Sequence, residues 1–196
     1  MKRLSYRSLK EKRNHQRLVL MILHMLCLIF LWQGQGQAAQ RCSASITATT
    51  PTSDFIDYGN GTVMHTKTGL VWKKCIEGMR FNGQTCVGIP LQQILWSGAL
   101  SHAALVNANG GFAGFTDWRV PNIKELSTIV ERKCVSPTIN LVVFPNTTTN
   151  GRYWSSTPSS YNAGKILAVE FTYGGNLEDS SQVFFPNYVR LVRGGQ

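Results

Sequence analysis

The chain has 196 residues, room for one domain and an appendage, and a formal net charge of +10. Seven basic residues and one acid fall in residues 1–38, so the remainder holds thirteen basic against nine acidic residues, a net of +4. An excess that mild excludes the electrostatic footprint of a nucleic-acid-binding protein and assigns most of the basicity to the N-terminal segment.

That segment reads as a targeting signal. Residues 1–17 are basic, and residues 18–32 (LVLMILHMLCLIFLW) are apolar except for His24. Small and polar residues follow, the order of a secretory signal peptide. The apolar run is about 15 residues, short of the roughly 20 that a spanning helix needs. Cleavage is expected after Ala38, with Gly36 and Ala38 at the small-residue positions. The alternative is an uncleaved anchor, favoured by the long basic stretch and by Trp32. Leu26 argues against lipidation at Cys27. Residues 39–53 read as a linker or extended N-terminal strand, and residues 54–196 as the globular domain.

Beyond residue 38 there are four cysteines, Cys42, Cys75, Cys86 and Cys134. An even number in an exported chain suggests two disulfides with three connectivities to choose from. The short Gly-containing loop between Cys75 and Cys86 favours that bridge, which leaves Cys42–Cys134 by elimination. Closing the short loop is worth about 3 kcal/mol and the long one roughly 4–5. No C-x-x-C pair is present, which disfavours a zinc or thioredoxin-type site.

In chain order, β-rich runs at 62–65 and 70–73 flank a Thr-Lys-Thr-Gly turn. Residues 90–107 predict a helix opened by Pro90, with Leu91, Leu95 and Ala99 on one face. Residues 120–133 predict a second helix. Asn122 and Glu125 have capping-box spacing, and Ile123, Leu126 and Val130 share a face. Arg132 and Lys133 would then close it, where cations favour the helix dipole. The last third is β: RYWSS, KILAVEFTY and QVFFPNYVRLVR. In the middle run Leu167, Val169, Phe171 and Tyr173 alternate with Ile166, Ala168, Glu170 and Thr172, and Pro186 breaks the third run. Strands, two helices, then strands make an α+β plan with an antiparallel sheet.

Several phrases in this order resemble a known family: DYGNGTV, TKTGLVWKKC, FTDWRVPNIKEL, FPN, YWSSTP and YVRLVRGGQ. Together they are similar to the C-terminal domain of the Lcl collagen-like adhesin, over residues 54–196. The resemblance implies a disulfide-stapled C-type-lectin-like fold, distantly related to formylglycine-generating enzymes, and a bacterial source. The best-known member is a surface adhesin for sulfated glycans. Those enzymes use cysteines late in the chain, and none follows Cys134 here. The calcium-lectin triplets are missing as well: Val120-Pro121-Asn122 and the two Phe-Pro-Asn triplets lack the acidic or amide ligand first. No P-loop, Rossmann or G-x-S-x-G signature is present.

The chain is therefore expected to be no enzyme, with no cofactor and no metal. His65 and His102 are far apart with no ligand-type spacing, and Asp57 and Asn60 read as turn residues. Trp118 and Arg119, before Pro121, read as an anchor for the second helix, with Trp in the core and Arg on a carboxylate or carbonyls. Trp72, Trp96 and Trp154 read as core rather than as sugar platforms. Arg190 and Arg193 belong to the closing strand motif, on opposite faces of a regular strand. Lys73, Lys74 and Arg80 form a basic cluster in and beside the Cys75–Cys86 loop. With Arg132 and Lys133 they are the candidate ligand residues. The expected function is binding of a sulfated or other acidic polysaccharide, or of a surface protein, with avidity from oligomers or a repetitive ligand. The alternative is an accessory subunit of a surface assembly. The expected location is periplasm, cell surface or medium, with membrane contact only through the N-terminal segment.

Overall fold

The computed structural model describes residues 39–92, 95–180 and 187–195. The expected signal peptide and its cleavage site lie outside these residues, as does Pro186. The run Thr62–His65 (β3) turns back at residues 66–69 into Val71–Lys73 (β4). Gly69 takes φ +69° there, and its amide reaches the His65 carbonyl at 2.8 Å. Phe55–Asp57 (β2) adds antiparallel to β3, and Val192–Arg193 (β12) adds antiparallel to β4. The result is a four-stranded sheet of order β12-β4-β3-β2, in which the C-terminal strand lies beside β4.

The second four-stranded sheet has the order β10-β9-β8-β11, from Asn176–Ser180, Lys165–Glu170, Arg152–Pro158 and Asn187–Tyr188. All its pairs are antiparallel except β11 with β8. Two short ladders complete the strands: Arg41–Cys42 (β1) with Cys134–Val135 (β7), and Met79–Phe81 (β5) with Cys86–Gly88 (β6). Both expected disulfides form, Cys42–Cys134 and Cys75–Cys86, one closing each ladder. Mostly antiparallel strands with two helices confirm the α+β plan.

Three expectations change. The first helix (α1) is Trp96–Ala108, so Pro90 and Leu91 lie before it, and Leu95 is its exposed N-cap. The Leu91 amide is held by the Glu77 carbonyl at 2.7 Å, which keeps this stretch out of the helix. Its buried residues are Ala99 and Ala103, which allow close packing. The second helix (α2) is only Ile123–Ser127. Its capping box forms as read, with Leu126 and Val130 buried and Ile123 packed beside them. Ser127 and Thr128 hydroxyls then bond back to the Ile123 and Glu125 carbonyls, competing with further turns. Arg132 and Lys133 thus follow a loop and do not end a helix. In β9 both faces are covered. Ile166 and Ala168 join one core cluster with Trp118, Trp154 and Leu191, and Val169 and Phe171 join the other with Trp72, Phe144 and Tyr153. The strand stops at Glu170, which leaves Tyr173 in an exposed turn.

Candidate functional site

The family-like phrases build the frame of the domain. Trp118 is buried, and its indole N–H donates to the Phe112 carbonyl. Arg119 pairs its backbone with Val192, and its guanidinium donates to both Glu125 oxygens at 2.7 Å and to the Gly194 carbonyl. Pro121 accepts the Ser156 amide through its carbonyl, tying the helix entry to β8. The same Glu125 completes the capping box, so one carboxylate ties helix entry, arginine and C-terminal Gly-Gly together. Burial alone would raise its pKa, but the Arg119 bonds and the Asn122 amide outweigh that and lower it.

Arg190 is completely buried. It donates to the Lys73 and Lys74 carbonyls and to the Thr147 hydroxyl, and it lies over the Phe144 ring. Desolvation pulls its pKa down to about 10, and it remains a cation. Arg193 is partly exposed, bonded to Asp117 at 2.7 Å and stacked on Phe115.

The expected cluster of Lys73, Lys74 and Arg80 is not a free basic patch. Lys73 is buried against Glu77 at 2.6 Å and sits over Phe112. Lys74 is buried against Asp57 at 2.6 Å and sits over Phe81. Gly61 lies between these two phenylalanines at φ +85°, and a Cβ there would approach the Phe112 ring at 3.1 Å and the Phe81 Cβ at 3.3 Å. Both lysines are thereby spent inside the fold, since a buried charge must be paired. Glu77 also accepts a hydrogen bond from the His102 ring of α1 at 2.9 Å. Arg80 alone of the three is exposed. Asp57 and Asn60 act as turn residues, taking the Gly59 and Thr62 amides.

Arg132 and Lys133 are placed differently. They lead into β7, whose partner β1 begins with Arg41. Three cations therefore gather around the Cys42–Cys134 bridge, and none makes an ion pair among the described residues. Arg41 and Arg132 are exposed and Lys133 is partly so. The acid that precedes them in the chain, Glu131, is buried and already spent. Its oxygens take the Thr49, Thr50 and Lys133 amides and both threonine hydroxyls. Those backbone bonds outweigh burial and hold its pKa low. A groove of about 350 Å³ lies against the bridge, bordered by Gln40, Lys133 and Val142. Arg41 was not among the sequence candidates. The signal for it was present: each cysteine of this bridge is preceded by a cation.

The model of the family described as the Lcl C-terminal domain matches residues 61–193, well over half of the chain, and the chain belongs to that family. No curated protein matches the chain significantly.

Proposed function

From its place in the Lcl C-terminal domain family, we propose that the chain is an exported, non-catalytic binding module of C-type-lectin-like fold that recognises an acidic glycan or similar polyanion. The observation that carries this reading is the set of unpaired cations, Arg41, Arg132 and Lys133, around the Cys42–Cys134 bridge. Glu131, the acid beside two of them in the chain, is committed to backbone amides and threonine hydroxyls, and none of the three makes an ion pair among the described residues. The groove against the bridge, which Lys133 lines, offers a seat for part of an extended chain. Two disulfides fit an oxidising compartment and support export. One domain with three cations binds weakly, so avidity from oligomers or a repetitive ligand is part of the reading.

The test is elution of the purified, disulfide-bonded protein from a heparin column, beside an Arg41→Glu, Arg132→Glu, Lys133→Glu variant of equal thermal stability. The parent should be retained and elute as salt rises, since each contact displaces condensed counterions. The variant should flow through. Equal elution of the two, or flow-through of the parent at low salt, overturns the reading.

A second reading has its own observation. Leu100 and Leu105 of α1 are exposed, as is Leu95 before it, which suits contact with a surface protein. Binding of that kind is insensitive to salt, which separates the two readings.

A further inference from the structure

Among the four tryptophans of the described residues, three are sealed in the core: Trp72, Trp118 and Trp154 are exposed by 1% or less. Trp96 is only partly buried, and it borders a groove of about 520 Å³. The groove runs between the start of α1 and the turn joining β8 to β9, where Ser97, Pro158, Ser159 and Lys165 also line it. Its size is that of a small-molecule site. The indole is fixed, because its N–H donates to the Ser155 carbonyl at 2.9 Å on β8. The aromatic surface is therefore pre-positioned and loses little freedom when covered.

We infer that this groove is a saccharide site that stacks one neutral hexopyranose ring on Trp96. A pyranose has an apolar C–H face and a rim of hydroxyls. A rigid indole beside polar side chains matches both, because the face leaves water while the rim keeps hydrogen bonds. The Lys165 ammonium and the Ser97 hydroxyl are the donors for that rim. The first turn of α1 adds amides, since no side chain caps it. The charge of the rim decides for a neutral sugar. Glu178 of β10 reaches the turn that precedes Lys165, where its carboxylate takes the Ser159 hydroxyl and the Asn162 amide and feels the lysine's charge. One cation offset by one acid gives a polyanion little to hold. The site thus differs in residues and in physics from the cations around Cys42–Cys134, and it does not depend on them.

The experiment titrates the full chain with cellotetraose, maltotetraose and chitotetraose, at low and high salt, by calorimetry and tryptophan fluorescence. At least one should bind with a change in emission, with an affinity that salt leaves unchanged. Trp96→Ala should lose about tenfold or more in affinity, roughly 1.4 kcal/mol. Trp96→Phe should keep most of it, and Lys165→Gln should lose about two- to fourfold. Ala163→Arg lies in the exposed turn and should block the groove without touching the core. It keeps the test valid should Trp96→Ala fail to fold. The inference is overturned by no binding of any of the three sugars, or by binding that Trp96→Phe and Ala163→Arg both leave intact. The triple charge variant of the heparin test should bind these sugars like the parent, so failure of either reading shows independently.

Discussion

Two cysteines of this chain are each preceded by a pair of cations, Lys73-Lys74 before Cys75 and Arg132-Lys133 before Cys134. The first pair ends a strand whose two faces are both covered, and each lysine there meets a carboxylate and an aromatic ring. The second pair follows a loop, and its one neighbouring carboxylate is occupied by backbone amides. A cation is available to a ligand when nothing inside the fold has claimed it. Sequence spacing does not report that. The position of the nearest uncommitted acid does.

The sharpest way to break this contrast is to remove an acid from the first region. Glu77 is buried and holds both Lys73 and His102. Glu77→Ala should cost about 3–5 kcal/mol in urea unfolding, because it strands a buried charge. Arg132→Gln and Lys133→Gln should together stay within about 0.5 kcal/mol of the parent. A small loss in Glu77→Ala would mean that Lys73 is not held as a buried charge, and the contrast would fail.

Acid should reveal the same group. Burial pushes the Glu77 pKa up, but the His102 bond and the Lys73 charge outweigh it, so the folded-state value lies below the ordinary 4.5. Its contribution is therefore fully present above the unfolded-state pKa and is lost as pH falls through the folded-state value. The stability gap between the parent and Glu77→Gln should shrink as pH falls below about 4.5. A gap that widens with acid contradicts the assignment.

Asp57 marks an intermediate case. It pairs with buried Lys74, yet its own side chain is about half exposed (52%). Asp57→Ala should cost about 1–2 kcal/mol, less than Glu77→Ala because water reaches the site. Thermal melts of the two variants side by side give the order.

What the residues disclosed beforehand follows the same division. The capping box at Asn122 and Glu125, the β3–β4 hairpin and the Cys75–Cys86 bridge are local, and local spacing was sufficient to read them. Trp118 and Arg119 were legible too, since a buried Trp-Arg pair before a helix has few alternatives. The length of α2 was not legible, because Ser127 and Thr128 end it through bonds that compete with the periodicity. The fate of Lys73 and Lys74 depended on Asp57, Phe81 and Phe112, whose approach is set by the sheet and by the close packing at Gly61. Arg41 had a signal only once Cys42 was paired with Cys134, because its partners in the ladder lie more than ninety residues away, across the bridge.

The smallest expected effect is the most pointed. Arg80 belongs by sequence to the first region, but it is exposed and makes no ion pair among the described residues. Its β5 neighbour Phe81 carries the Lys74 contact, and alternation along the strand turns Arg80 to the other face. Arg80→Glu should therefore leave the melting temperature within error of the parent, the usual result for an exposed substitution away from caps and pairs. It should also shift heparin elution less than Lys133→Glu does, because a single cation outside the Cys42–Cys134 group displaces few counterions by itself. If Arg80→Glu instead abolishes retention while Lys133→Glu does not, the anion surface lies at the β5–β6 hairpin. Exposure of one arginine would then outweigh the clustering of three cations.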